Sequence, residues 1–146
     1  MTDEEVMAQA IKEAQKALKK GEVPIGAVIT VGDRIIAKGF NKRERTKDCT
    51  AHAEIVALKR ACKKLKNWRL NDCTIYVTKE PCLMCYGAIL NARVKRLVYG
   101  FADDKLPTAV RAQIVGEKPI LNHKLKVTSC VLETECKNIF NLLFKR

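Results

Sequence analysis

The stretch PIGAVITVGDRIIAKGF, residues 24–40, limits the folds open to this chain more than any other. It holds two runs rich in Ile and Val, parted by Gly32-Asp33, and reads as a β-hairpin. Strand-like and helical segments then alternate. From Ala51 or His52 to about Lys66 the pattern is helical, with Ile55, Leu58, Cys62 and Leu65 on one side. CTIYVT is a buried strand, LMCYGAILNA a helix, VKRLVYGF a strand, LKVTSCVL strand-like, and Glu133–Phe144 a last helix. Ahead of the hairpin, Asp3–Lys20 carries a helical stripe of Val6, Ala10, Ala14, Ala17 and Leu18. Thr2 or Asp3 caps that helix and Gly21 ends it. NKRERTKDCT reads as a charged loop, and residues 102–124 as irregular with at most a short helix. The alternation implies an α/β sandwich with a partly parallel sheet.

With 146 residues, 47% of them hydrophobic, the chain suits a single domain over 1–146 with a real core. No apolar run approaches the roughly 20 residues of a membrane span. The opening MTDEEVMAQA is acidic and amphipathic, unlike a secretion signal, so a cytoplasmic setting is expected. Seven cysteines, an odd count without such a signal, argue against a disulfide framework. Most are expected as buried thiols. The net charge of +12 fits either a polyanionic partner or a merely Lys-rich surface. The run Lys59, Arg60, Lys63, Lys64, Lys66 and Arg69 likewise reads as a solvated face, or as one that attracts phosphate without reading sequence.

AHAEIVALKR opens the middle helix with His52 and Glu54 two residues apart. Alone, this is a capped helix start with a satisfied histidine. TKEPCLMCYGA adds Cys82 and Cys85 where a strand gives way to a helix, with Pro81 suited to the first turn. A helix start lowers thiol pKa and favours the thiolate a metal needs. A His/Cys/Cys set leaves one of zinc's four positions open, as catalytic sites do. Zinc there activates a water, whose proton must be carried to a leaving group. His52, Cys82 and Cys85 therefore read as metal ligands and Glu54 as the proton shuttle. H-x-E followed by P-C-x-x-C is the signature of zinc nucleobase deaminases. A redox C-x-x-C pair would leave His52 and Glu54 without a role.

The chain resembles the bacterial tRNA adenosine deaminases over nearly its full length. The likeness runs through GEVPIGAVI, TAHAEIVALKRA, NWRLNDCTIYVT, EPCLMCYGAILNARVKRLVYG and NHK. It implies a cytidine deaminase-like fold, a three-layer α/β/α sandwich on a mixed five-stranded sheet, usually as a homodimer. It implies Zn2+ on His52, Cys82 and Cys85, with Glu54 moving protons as a wobble adenosine of tRNA becomes inosine. By the same likeness Asn41 hydrogen-bonds the flipped base, and Val23, Ile25 and the Ala53 backbone wall the pocket. Leu143 and Phe144 match an aromatic pair of the last helix near the RNA.

Departures from the family's pattern gather at the pocket mouth. Lys79 stands where T-L-E-P-C has its leucine, and Cys49 where a proline is usual. Phe101 and Ala102 replace a small residue and an arginine, while Asp103 is retained. LPTAVRAQ, residues 106–113, replaces a Gly- and Ser-rich loop. Lys79 and Phe101, which depart, and Asp103 and Phe144, which match, join the candidate substrate contacts. Lys79 either snorkels to solvent, reaches a substrate phosphate, or pairs with a carboxylate such as Asp103 or Glu80. Other substrates stay open: cytosine or adenine in single-stranded DNA, or a free base or nucleoside as in guanine and cytosine deaminases. A non-catalytic zinc-stabilised RNA-binding module is the reading of another class, and it has no use for Glu54. His123 reads as a structural loop residue and Trp68 as helix-edge packing.

Overall fold

A computed structural model describes residues 1–121 and 123–144. The elements are α1 (Asp3–Lys19), β1 (Gly26–Val31), β2 (Arg34–Phe40), α2 (Arg43–Thr46), α3 (Ala53–Leu65) and β3 (Cys73–Lys79). They continue as α4 (Leu83–Asn91), β4 (Arg96–Phe101), α5 (Thr108–Val115), β5 (Lys126–Thr128) and α6 (Glu133–Asn141), with a 3-10 turn at Leu142–Phe144. The five strands form one sheet in the order β2-β1-β3-β4-β5. β1 pairs antiparallel with β2 and β3, while β3, β4 and β5 run parallel. This is the mixed sheet expected. Gly32 takes φ 56° at the first position of the β1–β2 turn, where a two-residue hairpin loop needs a positive value.

Successive strand residues face opposite layers. Ile75, Val77, Ile29 and Leu97 pack with Ala57 and Ile89 on one side. Tyr76, Val28 and Val98 pack with Met7, Ala10 and Cys136 on the other. Helices α3 and α4 thus cover one face, and α1 and α6 the other. Thr2 caps α1, its Oγ1 accepting from the Glu5 N–H at 3.1 Å.

Some local expectations need correction. Of the expected stripe, Leu58 is buried and Cys62 packs partly buried against the core, but Leu65 is 40% exposed; the buried face of α3 is Ala53, Glu54, Ala57, Leu58 and Ala61. The cause is close packing on β2, where a Cβ at Gly39 would lie 2.8 Å from the Ala53 carbonyl oxygen. Small side chains fit that contact and large ones do not. The charged loop contains α2, because the buried Glu22 carboxylate accepts from the Glu44 and Arg45 N–H groups at 3.0 and 2.8 Å. Those N–H groups of a helix's first turn have no partner within the helix. Cys82 is the N-cap of α4, so Pro81 precedes the first turn rather than occupying it. Trp68 is 53% exposed, with the Arg69 guanidinium 4.4 Å above its ring, and does not pack as a helix edge. Of the seven cysteines only Cys73, Cys85 and Cys136 are buried. His123 does act structurally, its Nε2 lying 2.7 Å from the Val94 carbonyl oxygen.

Candidate active site

One end of the sheet, where β3 and β4 finish and β1 begins, gathers the residues expected to hold a metal and a base. β1 begins where its antiparallel neighbour β3 ends, so Ile25 and Lys79 meet there. Asn41 follows β2, its N–H donating to the Ile25 carbonyl at 3.3 Å. α3 and α4 start at the same end of the sheet, with His52 and Cys82 as their N-caps. Open α/β sheets place ligands off the carboxyl ends of their parallel strands, and β3 and β4 end here.

His52, Cys82 and Cys85 bring their ligand atoms within 4.8 Å of one another. Nδ1 of His52 lies 3.6 Å from the Cys82 sulfur and 3.5 Å from the Cys85 sulfur. Tetrahedral zinc, with bonds of about 2.3 Å to sulfur and about 2.0–2.1 Å to nitrogen, needs N···S separations of about 3.6 Å. The donors therefore fit zinc in kind and in spacing. Cys82, accepting a hydrogen bond from the Cys85 thiol and drawn by His52, is pulled down to about 4. Cys85, donating to Cys82 and buried, is pushed up. The two sulfurs thus share one proton, which a divalent cation would displace.

Glu54 is 4% exposed and packs beside the three ligands without joining them. Burial pushes its carboxyl up to about 7. Both protonation states are then available near neutral pH, as proton transfer in both directions requires. Above it lies a cavity of ≈ 160 Å³ whose lining includes Val23, Ile25, Asn41, Ala53 and Glu54. The Asn41 side chain donates to the Val23 carbonyl at 3.4 Å and accepts from the Arg43 N–H at 3.1 Å. One amide hydrogen and one lone pair remain for a ligand.

Phe101, Asp103 and Phe144 are not in this cavity. They line an adjoining one of ≈ 650 Å³. Lys79 lines both, and its ammonium pairs with Asp103 at 3.5 Å. Of the two carboxylates considered for it, Glu80 is already engaged, accepting from Arg111, Tyr86 and the Asp103 N–H. Two residues lining the smaller cavity went unforeseen. Phe140 lies on both cavities, four residues before Phe144 and thus on the same helical face, a spacing that could have flagged it. Arg43 sits at the mouth, its Nη1 3.3 Å from His52 Nε2. A histidine coordinating through Nδ1 carries its proton on Nε2, so two donors would face each other there. Arg43 then has no hydrogen bond to make with His52, and among the described residues its guanidinium makes no ion pair.

Comparison with known proteins agrees with this geometry. The MafB19-like deaminase family matches residues 1–146. A tRNA-specific adenosine deaminase of Bacillus subtilis (strain 168) is 44% identical over 143 residues, 98% of this chain and 89% of that protein. A structure solved in a study of A-to-I editing by tRNA:A34 deaminases superposes with a TM-score of 0.84 at 40% identity, covering 91% of this chain and 96% of that one. The guanine deaminase of Bacillus subtilis is more distant, with a TM-score of 0.67 at 33% identity over 86% of this chain and 83% of that one. The chain therefore belongs to the MafB19-like deaminases and, within them, to the family of the tRNA-specific adenosine deaminases.

Proposed function

We propose that this protein, as one catalytic domain over residues 1–146, is a zinc-dependent hydrolytic deaminase that converts adenosine to inosine at the wobble position of a tRNA anticodon. The observation that carries this is the buried Glu54 carboxyl beside a zinc-spaced His/Cys/Cys set, under a cavity small enough to admit one flipped base. His52, Cys82 and Cys85 hold the metal. Zinc, when bound, supplies the Lewis acidity that makes a water nucleophilic near neutral pH. Val23 and Ile25 wall the base off from bulk water, and Asn41 fixes its orientation with its free donor and acceptor. Glu54 takes a proton from the attacking water and returns one to the departing amine, so adenosine and water become inosine and ammonia.

The tRNA relatives at 40–44% identity support this substrate over a free base, as does the second cavity, which gives a neighbouring nucleotide somewhere to lie. A non-catalytic RNA-binding module would leave the buried Glu54 unexplained. A homodimer is supported by the exposed apolar side chains Leu83 and Met84 at the head of α4. Among the described residues no helix is long and apolar enough to cross a membrane, which is compatible with a cytoplasmic enzyme acting on tRNA.

The test is inosine formation, read by mass spectrometry, on an anticodon stem-loop with adenosine at the wobble position. A DNA hairpin of the same sequence, free adenosine and guanine serve as controls. Inosine is expected in the RNA. With a net charge of +12 on the protein, kcat/KM should fall steeply as salt rises. Turnover of guanine with none of the stem-loop would reject the assignment. Metal analysis should find about one zinc per chain, and Cys82→Ser should lower that content sharply, since three protein ligands leave none to spare. Full zinc and full activity in Cys82→Ser would remove Cys82 from the ligand set.

A further inference from the structure

The base-sized cavity and the larger cavity beside it share Lys79 and Phe140. Lys79 is the last residue of β3, and the β3–β4 register sets it opposite Phe101. Its ammonium lies 3.5 Å from Asp103 and 5.1 Å from the centre of the Phe140 ring. These two contacts hold a long, flexible side chain along the wall between the cavities; the side chain is 22% exposed. The ammonium has three N–H donors, and Asp103 occupies one. Among the described residues it makes no other polar contact.

A polynucleotide that places one base above Glu54 must lay the next nucleotide outside that small cavity. The larger cavity offers the space, with Phe101, Phe140 and Phe144 along it, their centroids 5.5 and 5.6 Å apart and their rings tilted by 60° and 58°. Phe101 is buried and Phe144 exposed, so Phe144 is the ring of the three that offers a face to a stacked base, whatever the identity of that base. The link between the two nucleotides is a phosphodiester, and it crosses the wall where Lys79 sits. Charge in the larger cavity is balanced: Lys79, Lys105 and Lys137 against Asp103, Asp104 and Glu133. A general positive field therefore does not draw a phosphate there, and a carboxylate beside the crossing point would repel one. A cation placed at the crossing point is what makes the path favourable.

We propose that Lys79 is a specificity-determining residue. It binds the phosphate that links the target nucleoside to its neighbour, and so favours a base carried in a polynucleotide over a free one. Asp103 and Phe140 hold the ammonium in place for that contact. The inference rests on the reading above, that the small cavity receives a base from single-stranded RNA.

The test is a coupling cycle. Anticodon stem-loops are made with a neutral methylphosphonate at the phosphate on either side of the target adenosine. Their Kd is measured by fluorescence anisotropy with the wild type, Lys79→Leu and Asp103→Asn. A charge-assisted hydrogen bond is worth about tenfold in affinity or somewhat more. The wild type should lose about that factor at one of the two positions. Lys79→Leu should lose it on the natural stem-loop, show a salt slope lower by about one unit, and be indifferent to the same methylphosphonate. Asp103→Asn removes the countercharge but keeps a side-chain oxygen that can hold the ammonium, so it should keep the full sensitivity. Lys79→Gln repeats the cycle should the leucine variant melt early.

A wild type insensitive at both positions, or a Lys79→Leu as sensitive as the wild type, overturns the proposal. So does an Asp103→Asn that loses its sensitivity alongside Lys79→Leu, because the pair would then only shape the wall. Inosine measured on the same stem-loop separates this from the parent reading. Inosine with an additive cycle rejects Lys79 alone, and an intact coupling without inosine rejects the deamination assignment alone.

Discussion

Glu54→Gln is expected to cut turnover on the stem-loop by about 10²–10⁴-fold while zinc content and Tm stay at the wild-type values. The side chain is 4% exposed, so a replacement of the same shape is needed to keep the packing. Glutamine keeps the volume and both polar positions but cannot take up a proton. Burial holds the carboxyl at about 7, where it can give and take protons at neutral pH. The reaction needs it in both directions, from water and toward the leaving amine, so one substitution removes two transfers. Among the described residues His52, Cys82 and Cys85 form the group that could hold a metal, and Glu54 is not in it, which is why metal content is a control rather than a readout. A variant that keeps more than about a tenth of wild-type turnover would exclude Glu54 as the shuttle, since even one such transfer is worth more than that. Loss of zinc together with activity would mean that the carboxylate supports the metal instead.

The residues proposed for the chemistry of this site were more legible in the sequence than its packing. His52, Glu54, Cys82 and Cys85 announce themselves because metal coordination and proton transfer admit few residue types, and because both motifs open helices. Structure brings all four together at one end of the sheet. The α3 stripe was misread for a physical reason. Periodicity gives weight to large apolar residues such as Ile55 and Leu65, whereas this interface selects small ones, Ala53, Ala57 and Ala61, against Gly39. The helix α2 was hidden because Glu22, far upstream, satisfies its N–H groups. Phe140 and the Glu80–Arg111 pair depend on how α6 and α5 dock, and no local pattern encodes that docking. Lys79 shows both sides. The sequence marked it as unusual and named Asp103 as a partner, but only the fold places it on the wall between two cavities.

Arg111→Leu is expected to destabilise the protein by roughly 2–4 kcal/mol at neutral pH, lowering Tm by roughly 10 °C. Arg111 lies in the segment that replaces a Gly- and Ser-rich loop, and α5 carries it onto Glu80, whose side chain is fully buried. Its Nε and Nη2 each donate at 2.7 Å, one to either carboxylate oxygen. The Tyr86 hydroxyl at 2.6 Å and the Asp103 N–H at 2.9 Å complete the set. Leucine leaves the carboxylate with two donors and no countercharge, hence a loss somewhat below that of a wholly unpaired buried charge. The pH dependence identifies the cause. Burial alone would raise the Glu80 carboxyl, but Arg111, Tyr86 and the Asp103 N–H outweigh it and hold it below the usual range. A carboxyl lowered by folding adds stability above its unfolded pKa and loses it as pH falls through the folded value. Without Arg111 the balance reverses, burial dominates, and protonation relieves the variant. The stability gap between wild type and variant should therefore be widest near pH 7, begin to narrow as pH falls through the variant's raised value, and narrow further below the ordinary glutamate range as the wild type loses its contribution. Glu80→Gln combined with Arg111→Leu should recover much of the loss, because no buried charge is then left alone. A gap that is flat with pH, or a double variant no more stable than Arg111→Leu, would mean that the loss comes from α5 packing and not from the stranded carboxylate.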